Sequence, residues 1–460
     1  MRQQFDAIVI GAGQAGPFLA ARLVAAGQQV ALIERKHLGG TCVNEGCTPT
    51  KTLVASARVA HLARRAADFG VSTGPVAIDM RAVKARMDEV VAGSRRSLAD
   101  WLGGMDGLRL VDGTARFVAP DAVEVDGERL SAPRIFLNTG CRAVVPDFAA
   151  GLPYLTNSSI LQLEAVPRHL VIIGGSYIGL EFAQIYRRLG AEVTVLEQGP
   201  RIASREDEEF SSAIADFLGN EGIRIVTGAS GFSGRPSGEG ASGISLTFSV
   251  GGESEEIAAS HLLLATGRQP NTDDLGLDAA GVATDKHGYI PVDDRLCTNV
   301  PHIFALGDVN RRGAFTHTSY NDYEIVAANL LDGGDRKLSD RVPVYALYTD
   351  PPLGRAGMTE AEAKRQGYRI RTATRPMSAV GRARERGETA GMMKVVVEAD
   401  TDRILGAALL GIEGDEAIHV LVDAIATGTT ASAITRIMHI HPTVSELIPT
   451  LLGSLGDAES

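Results

Sequence analysis

The sequence is poor in cysteine, has fewer basic than acidic residues and contains no long apolar run. Four cysteines in 460 residues are too few for a disulfide scaffold, so we expect a reducing, cytoplasmic setting. The 45 basic and 56 acidic residues give a net charge of -11, which argues against nucleic acid or an acidic membrane as the main partner. No apolar run is long enough to span a bilayer, and a strand pattern from Phe5 to Ile10 leaves no room for a signal peptide.

A glycine-rich loop follows this first strand pattern. The letters GAGQAG begin at Gly11 and lead into an Ala/Leu-rich helical stretch. Gly11 permits a tight turn, Gly13 lets the backbone approach a pyrophosphate, and Gly16 lets helix and strand pack closely. The helix N-terminus offers free N–H groups to phosphates, and Glu34 ends the next strand, where it can accept hydrogen bonds from a ribose. The order of these features predicts a dinucleotide-binding unit.

The same order returns in HLVIIGGSYIGLEFAQIYRRLGAEVTVLE, which starts at residue 169. Gly174 and Gly179 hold the first and last glycine positions, Ser176 replaces the middle one and offers a hydroxyl to a phosphate, and Glu197 supplies the acid. Two such units suggest two dinucleotides, one held and one exchanged. The alternative is a duplicated α/β unit with one inactive site.

The acid of the second unit bears on which nucleotide is used. A carboxylate at Glu197 binds a free 2′-hydroxyl and repels a 2′-phosphate, so NADH is favoured over NADPH. Arg201 and Arg205 follow closely in sequence and oppose that preference.

Two cysteines lie in the stretch GGTCVNEGCTPTK, from Gly39 to Lys51. They suggest a metal site, a structural disulfide or a working redox pair. The low cysteine count disfavours a structural disulfide. A zinc site has even less support, because no second Cys/His pair lies nearby in sequence. We therefore expect no metal site.

The spacing of Cys42 and Cys47 restricts the local backbone. In a regular helix their Cα atoms would lie about 8 Å apart, whereas a disulfide requires roughly 4.4–6.8 Å. A bond between them therefore needs a break in the helix, for which Gly46 provides the freedom. Pro49 suits the start of a regular helix, and a thiol at a helix N-terminus has the lowered pKa that thiol exchange needs.

Four motifs in order are similar to those of the class I pyridine nucleotide-disulfide oxidoreductases, the group of glutathione reductase, dihydrolipoamide dehydrogenase and mercuric reductase. They are GGTCVNEGCTPTK (39–51), LLLATGRQPNT (262–272), VPHIFALGDVN (300–310) and HIHPTVSE (439–446). The resemblance covers essentially the whole chain. It implies an α/β fold with two Rossmann-like domains, for FAD and NAD(P), and a C-terminal α+β dimerisation domain.

The resemblance also implies roles for individual residues. Cys42 resembles the outer, interchange thiol that attacks substrate, and Cys47 the inner thiol that rests against the flavin as a charge-transfer thiolate. Lys51 and Glu181 resemble the ion pair beside flavin N5. The implied cofactor-binding residues are Gly11, Gly13, Gly16, Glu34, Arg35, Gly40, Thr41, Thr139, Gly140, Gly174, Ser176, Tyr177, Gly179, Glu197, Gly267, Arg268, Gly307, Asp308, Phe315, Thr316 and His317.

Some of these residues resemble specific flavin contacts. Asp308 resembles the ligand of the ribityl chain, and Tyr177 the ring that covers the flavin until nicotinamide displaces it. A helix that starts at Thr316 would point at flavin N1/O2, where the reduced ring carries negative charge. His317 stands where many relatives have proline.

His441 and Glu446 resemble an acid–base pair that reaches the active site of the other subunit, which implies a homodimer. Pro442 suits a helix start, and Glu446 would then lie in the first turn, within reach of the imidazole ring. A histidine oriented by a carboxylate is a good general acid or base near neutral pH. His439 is expected to be structural.

A chain of this length exceeds one hydrophobic core, so two to four domains are expected. We assign an FAD-binding domain to residues 1–145 with a return segment at 272–341, an NAD(P)-binding domain to 146–271, and a dimerisation domain to 342–460. Residues 392–411 predict a β-hairpin. Residues 235–243, rich in glycine and serine, predict the surface loop of another hairpin.

Several departures limit the choice of substrate. Glu45 lies between the two cysteines and should raise their pKa values unless it points to solvent. The tail LLGSLGDAES lacks the paired cysteines with which mercuric reductases receive Hg(II), and the N-terminus lacks their metal-binding domain. Cys141 and Cys297 are expected to be ordinary buried thiols. The chain still looks most like the mercuric-reductase-like branch.

The expected function is that of an NAD(P)H-dependent flavoprotein disulfide reductase. Hydride would pass from NAD(P)H through FAD to the Cys42–Cys47 disulfide, and on to a small-molecule disulfide, a soft metal ion such as Hg(II), or an oxidant. One alternative is a dihydrolipoamide dehydrogenase-type subunit of a larger complex. The other is a thiol-independent transhydrogenase or NADH oxidase.

Overall fold

The two glycine-rich loops each join a buried strand to a helix in the computed structural model, which describes residues 2–237 and 243–458. The first part of the chain contains, in order, β1 (Arg2–Gln4), β2 (Ala7–Ile10), α1 (Gly16–Ala25), β3 (Val30–Glu34), α2 (Gly40–Glu45), α3 (Cys47–Arg64), α4 (Met80–Gly103), β4 (Leu108–Asp112), β5 (Arg116–Ala119), β6 (Ala122–Val125), β7 (Glu128–Ser131), β8 (Ile135–Leu137) and β9 (Cys141–Ala143).

The middle part holds the second loop and a second sheet. Its elements are β10 (Tyr154–Leu155), β11 (His169–Ile173), α5 (Tyr177–Leu189), β12 (Glu192–Leu196), α6 (Glu208–Asn220), β13 (Arg224–Val226), β14 (Ser230–Pro236), β15 (Ile244–Val250), β16 (Glu253–Ala259), β17 (His261–Leu264) and β18 (Arg268–Pro270).

The last part returns to the first sheet and then builds its own. Its elements are α7 (Leu277–Ala280), β19 (Ile303–Ala305), α8 (Thr316–Leu331), β20 (Val344–Leu347), β21 (Leu353–Gly357), α9 (Glu360–Arg365), β22 (Ile370–Pro376), α10 (Gly381–Glu385), β23 (Met392–Glu398), β24 (Ile404–Leu410), α11 (Gly414–Ala417), α12 (His419–Thr427), α13 (Ala431–Ile434) and α14 (Ile448–Leu452).

Two five-stranded parallel sheets carry the glycine-rich loops. Their strand orders are β19-β8-β2-β3-β4 and β10-β17-β11-β12-β13. The strands that lead into the loops, β2 and β11, are buried along their whole length, because central strands of a parallel sheet are covered on both faces. In such sheets ligands bind at the carboxyl ends of the strands, where both loops lie. The predicted α/β fold with two Rossmann-like units is confirmed.

The C-terminal sheet is antiparallel, with the order β20-β21-β24-β23-β22. Its β23 and β24 form the hairpin predicted at residues 392–411. The hairpin of β14 and β15 is also present, while residues 238–242 of its predicted surface loop lie outside the described residues. Across residues 2–237 and 243–458, no helix combines the length and apolarity that a membrane span requires.

Candidate active site

The first glycine-rich loop is closed by backbone contacts that a side chain would block. Gly11 has φ +102°, and a Cβ there would lie 2.3 Å from the Asn138 carbonyl oxygen. A Cβ on Gly16 would lie 2.1 Å from the Gly11 carbonyl oxygen. Glu34 Oε2 accepts from Ala12 N–H at 2.8 Å. No side chain caps the start of α1 and no acid lies in its first turn, so its N–H groups remain free for an anion.

The second loop repeats this geometry in detail. Gly174 has φ +113° and a Cβ on it would lie 2.3 Å from the Ala265 carbonyl oxygen, while one on Gly179 would lie 2.0 Å from the Gly174 carbonyl oxygen. Glu197 Oε2 accepts from Gly175 N–H at 2.6 Å. The N-terminus of α5 also has no side-chain cap and no acid in its first turn. The second unit therefore keeps the whole turn, which disfavours an inactive duplicate.

Further predicted cofactor-binding residues lie around the first loop. A Cβ on Gly40 would lie 2.7 Å from Gly13 Cα, so α2 begins directly against the loop. The Thr139 hydroxyl is buried without a hydrogen-bond partner, and Arg268 Nε lies 3.6 Å from Asp308 Oδ2. Burial raises the pKa of Asp308. An unpartnered hydroxyl and a space that admits only glycine fit a bound dinucleotide.

Five other predicted cofactor-binding residues have these positions and contacts. Arg35 pairs with Asp274 at the surface, and Thr41 lies in the first turn of α2. Gly307 has φ +73°, and a Cβ there would lie 2.7 Å from Ser319 Oγ. The backbone N–H of Asn271 donates to the Gly140 carbonyl oxygen, and that of Val144 to the Gly267 carbonyl oxygen.

The two cysteines are brought together at a break between helices. Helix α2 ends at Glu45, Gly46 adopts φ -138° and ψ -113°, and α3 begins at Cys47. The predicted break at Gly46 is thus present. Cys42 and Cys47 are half-buried free thiols, and a hydrogen bond joins their side chains. Cys47 Sγ also lies 3.1 Å from Thr316 Oγ1, at the first residue of α8.

The two thiols differ in acidity. The pKa of Cys47 is lowered to about 6, mainly by the hydrogen bond from Cys42. A hydrogen bond with Thr316 and the positive charge of Lys51 also lower it, whereas burial raises it. The same hydrogen bond, with burial, raises the pKa of Cys42. The pair thus consists of a thiolate at Cys47 and a protonated thiol at Cys42 near neutral pH.

Lys51 and Glu181 form the ion pair that the motif implied. Lys51 Nζ lies 3.1 and 2.9 Å from the two carboxylate oxygens, and the Glu181 side chain is 7% exposed. Tyr348 completes this group: its backbone N–H donates to Glu181 Oε1 at 3.0 Å, and its ring centroid lies 4.6 Å from Lys51 Nζ. The ammonium is therefore held one helical turn after Cys47.

Aromatic rings line the start of α8. The Phe315 ring stacks on Tyr345 and His317, with centroids 5.5 Å apart in both pairs, and the Tyr177 centroid lies 6.3 Å from Phe315. His317 Nε2 hydrogen-bonds the Val344 carbonyl oxygen at 2.6 Å. Burial lowers the pKa of His317, so the ring is neutral near pH 7 and acts as a packing group.

Glu45 has a hydrogen-bond partner away from the thiols. Its carboxylate accepts from the Ser158 hydroxyl at 2.7 Å, and it is not among the main groups that shift either cysteine pKa. Cys141 is buried, and burial raises its pKa to about 12. The expectation that Cys297 is buried holds only in part: it is half-buried beside Pro301, to whose carbonyl its thiol donates at 3.3 Å.

His441 and Glu446 form a hydrogen-bonded pair, with His441 Nδ1 2.7 Å from Glu446 Oε2. The His441 side chain is 80% exposed, and its bond is to the glutamate, not to either cysteine. The expectation that a helix starts at Pro442 is wrong. The Pro442 carbonyl oxygen accepts instead from Arg382 Nη2 at 2.7 Å, and the first helical turn after it is Ser445–Leu447.

The sequence did not single out two residues that shape the loops. Asn138 Nδ2 donates to the Gly11 carbonyl oxygen at 3.2 Å, and its side-chain oxygen would lie 3.1 Å from a Cβ on Gly307. Its place directly after β8 in "FLNTG" was the available signal. Arg355, in the middle of β21, is 1% exposed and lies among acids of the second unit; no local pattern predicts it.

Comparison with known proteins gives the same grouping. The family model described as pyridine nucleotide-disulphide oxidoreductase matches residues 5–322, and its dimerisation-domain model matches residues 344–452. The probable pyridine nucleotide-disulfide oxidoreductase RclA of Escherichia coli K12 is 36% identical over 462 residues, covering 97% of this chain and 98% of the relative. A mercuric reductase of Lysinibacillus sphaericus is 33% identical, with 96% and 81% covered. A dihydrolipoyl dehydrogenase of Thermus scotoductus is 35% identical, with 96% and 95% covered.

Comparison with solved structures gives the same grouping. The HOCl-induced flavoprotein disulfide reductase RclA from Escherichia coli superposes with a TM-score of 0.88 at 34% identity, covering 98% of this chain and 99% of that one. The same protein is also solved as a Cu(II) complex, with a TM-score of 0.89. This family implies FAD and NAD(P)H as cofactors. The chain belongs to the pyridine nucleotide-disulphide oxidoreductases and is an NAD(P)H-dependent, mercuric-reductase-like flavoprotein disulfide reductase.

Proposed function

We propose that this protein uses NAD(P)H, with NADH preferred, to reduce a small-molecule disulfide, a soft metal ion or an oxidant through Cys42 and Cys47. The observation that carries the proposal is the asymmetric thiol pair. Cys47 is the more acidic thiol and contacts Thr316, while Cys42 keeps its proton. An exchanging pair needs one sulfur that is stable as a thiolate and one that is released for attack.

The proposed cofactor sites follow the two loops. Bound FAD supplies a two-electron relay between nicotinamide and sulfur. Its proposed ligands are the first loop, Glu34, Arg35, Gly40, Thr41, Thr139, Gly140, Gly267, Arg268, Gly307, Asp308 and the start of α8. The second loop, with Ser176, Tyr177 and Glu197, is the proposed NAD(P)H site. The free N–H groups at the starts of α1 and α5 support a diphosphate at each.

The cysteines act in a fixed order in this proposal. Cys42 loses its proton to a base and attacks one sulfur of the acceptor disulfide, which releases the first thiol as that proton returns to it. The Cys47 thiolate then attacks Cys42 Sγ, releasing the second thiolate, which takes a proton from solvent. The Cys42–Cys47 bond is formed as the acceptor gains two electrons, and Lys51 stabilises the Cys47 thiolate in the meantime.

The base is the His441–Glu446 pair of a second subunit. Glu446 orients the imidazole through Nδ1, so Nε2 is left to take the Cys42 proton. Around His441 the side chains of Ile437, Met438 and Ile440 are 50%, 95% and 79% exposed. A patch of large apolar side chains beside an exposed histidine supports a homodimer interface here.

The domain boundaries proposed are 1–145, 146–271, 272–341 and 342–460. Pairing of β19 with β8 supports the return of residues 272–341 to the first domain. The scarcity of cysteine supports a cytoplasmic location.

The test is steady-state turnover of NADH with separate acceptors: oxidised lipoamide, glutathione disulfide, Hg(II), Cu(II) and oxygen. We expect turnover with at least one acceptor other than oxygen, and its loss in Cys42→Ser. The matched control is Cys297→Ser, which removes a half-buried cysteine outside the pair and should leave turnover unchanged. Undiminished turnover in Cys42→Ser would instead favour the thiol-independent oxidase or transhydrogenase. Turnover with lipoamide alone would favour the dihydrolipoamide dehydrogenase-type role.

Nucleotide preference is tested by comparing kcat/KM for NADH and NADPH. Both oxygens of Glu197 accept backbone N–H groups, from Gly175 and Gly199, which holds the carboxylate in place beside the loop. Its repulsion of a 2′-phosphate should favour NADH by about tenfold or more. Glu197→Gln should narrow that ratio, and an unchanged ratio would contradict the role of Glu197.

A further inference from the structure

The short segment between the two cysteines is held by a turn from the proposed NAD(P)-binding domain. The Glu45 carboxylate accepts from the Ser158 hydroxyl at 2.7 Å, and the Glu45 carbonyl oxygen accepts from Asn157 Nδ2 at 3.0 Å. Glu45 is the last residue of α2, and carbonyls at a helix end have no partner within the helix. These two hydrogen bonds, the Glu45 tether, fix both the side chain and the backbone of the residue that ends α2.

The turn that supplies the two donors is itself fixed. Ser159 Oγ accepts from the Thr156 N–H at 2.9 Å, and the Ile160 N–H donates to the Thr156 carbonyl oxygen at 3.1 Å. The Ile160 side chain is fully buried, in the core that also contains Leu53 of α3. Its carbonyl oxygen accepts from the Tyr186 hydroxyl at 2.9 Å. The tether therefore connects the end of α2 to a turn that is both packed and hydrogen-bonded.

Closure of the disulfide requires a movement at this end of α2. The Cys42 and Cys47 side chains are joined by a hydrogen bond, whereas a disulfide brings its two sulfurs to about 2.0 Å. Helix α3, which carries Cys47, is 18 residues long and buries Leu53 and Ala57, so it is the fixed side. Helix α2 has 6 residues, none of them buried, and takes up the shift. The tether holds α2 in the position that accompanies two free thiols.

We propose that Asn157 and Ser158 are positioning residues that act through Glu45 and favour the dithiol form of the redox pair over its disulfide. The inference rests on the proposed function, in which this pair exchanges with an acceptor. A contact shifts an equilibrium only by the difference in its free energy between the two states. The tether is made in the dithiol form and is weakened by closure, so it raises the reduction potential of the pair. Opening of the S–S bond takes up two electrons and, near neutral pH, one proton, which goes to Cys42 while Cys47 stays a thiolate.

The test equilibrates the FAD-loaded protein anaerobically at pH 7 with mixtures of dihydrolipoate and lipoate. Each dihydrolipoate that opens a disulfide gives up two electrons and two protons, of which one goes to Cys42 and one to the buffer, and becomes lipoate. After alkylation, mass spectrometry of the peptide that contains both cysteines gives the fraction in the disulfide form. Ser158→Ala and Asn157→Ala should each raise the midpoint ratio of dihydrolipoate to lipoate by about three- to tenfold. This shift corresponds to a reduction potential lower by about 14–30 mV.

Two further variants separate the tether from other effects. Glu45→Gln removes the charge but keeps a side-chain acceptor for Ser158 and the backbone acceptor for Asn157, so the midpoint should move by less than about twofold. Ser260→Ala is the matched control, because it removes a half-buried hydroxyl of the same proposed domain, one that donates to the His169 carbonyl oxygen at 2.9 Å. It should lower the melting temperature without moving the midpoint.

The outcomes distinguish this inference from the proposed function. A midpoint that is unmoved, or that moves to lower ratios, in both Ser158→Ala and Asn157→Ala would overturn the inference alone, provided that the wild-type pair opens and closes. A shift of threefold or more in Glu45→Gln would also overturn it, since the charge and not the tether would then set the equilibrium. A wild-type pair that stays open at every ratio would overturn the proposed function as well.

Discussion

At the scale of single residues, the proposed thiol exchange depends on one hydrogen bond that gives the two cysteines different pKa values. Cys42 donates to Cys47, and this contact lowers the pKa of Cys47 while it raises that of Cys42. Thr316 and Lys51 add to the stabilisation of the Cys47 thiolate. Cys42 must therefore lose its proton to a base before it attacks, and the exposed His441 of a second subunit is the proposed base.

The first prediction concerns the pH dependence of this thiolate. Because the pKa of Cys47 is lowered to about 6, the reduced protein should carry the thiolate above that pH and lose it below. Thr316→Val removes a hydrogen bond to the charged form and should raise the midpoint by about one pH unit. The measurement is the ultraviolet absorbance of the thiolate across pH, taken as the difference from Cys47→Ser. A midpoint near the ordinary value for a free thiol would contradict the assignment.

Residue-scale contacts within a motif could be anticipated from sequence, and long-range ones could not. The Lys51–Glu181 pair was expected because both residues stand in recognisable motifs. Glu206 and Arg355 are 149 residues apart, and neither has a neighbour that marks it as buried. An arginine in a strand is ordinarily exposed, so only the packing of β21 against the second unit reveals its partner.

At the scale of elements, Gly46 separates two helices so that the cysteines can meet. A Cβ at this position would lie 2.9 Å from the Thr41 carbonyl oxygen, a contact that requires the backbone to shift. The break between α2 and α3 is therefore a requirement for the pair, not an irregularity of the helix.

The second prediction follows from that contact. Gly46→Ala should destabilise the protein by about 1–3 kcal/mol and slow closure of the disulfide, since relief of the contact moves Cys42 relative to Cys47. Denaturant unfolding and the rate at which free thiols are lost when the reduced protein is reoxidised measure the two effects. Gly74→Ala makes the same change where no atom lies within 4 Å, and it should alter neither. Equal behaviour of the two variants would refute the steric argument.

The third prediction tests which of the two dinucleotide units binds FAD and which binds NADH. A Cβ on Gly16 or Gly179 would lie 2.1 or 2.0 Å from the carbonyl oxygen that closes its own loop. Gly16→Ala should therefore lower FAD content at purification. Gly179→Ala should keep FAD but raise the half-saturating NADH concentration by more than about tenfold. Flavin absorbance and anaerobic reduction report these separately, and loss of FAD in Gly179→Ala would mean that the units are assigned wrongly.

Elements with a strong local pattern were predictable. The buried strands β2 and β11, their loops and the β23–β24 hairpin follow from apolar runs and glycine spacing. Where the helix near Pro442 starts was not predictable, because proline is tolerated at a helix start but does not require one. The Pro442 carbonyl oxygen accepts a hydrogen bond from Arg382, 60 residues away, a contact that no local pattern indicates.

At the scale of the whole molecule, each proposed active site lies between two subunits. Within one chain His441 hydrogen-bonds Glu446, and its side chain is exposed to solvent. Exposed apolar side chains lie close to it in sequence. The match of residues 344–452 to a dimerisation domain agrees with this arrangement.

The fourth prediction tests the shared site with mixed dimers. Chains carrying Cys42→Ser and chains carrying His441→Gln should each form nearly inactive homodimers. A mixed dimer has one site with both residues intact, so random mixing should restore about a quarter of wild-type turnover. The purified mixed dimer, with one intact site of two, should show about half of wild-type turnover. If each site were built within one chain, both sites of the mixed dimer would be defective and mixing would restore nothing.

The measurement that tests the central claim most directly is an anaerobic titration of the FAD-loaded protein with NADH, in which visible absorbance and free thiols are followed together. If Cys42 and Cys47 lie in the electron path, the first equivalent of NADH should release both thiols. It should also produce a long-wavelength absorbance band that Cys47→Ser lacks and Cys297→Ser retains. Bleaching of the flavin with no gain in thiols and no such band would show that the cysteine pair is not in the path, and would contradict the account.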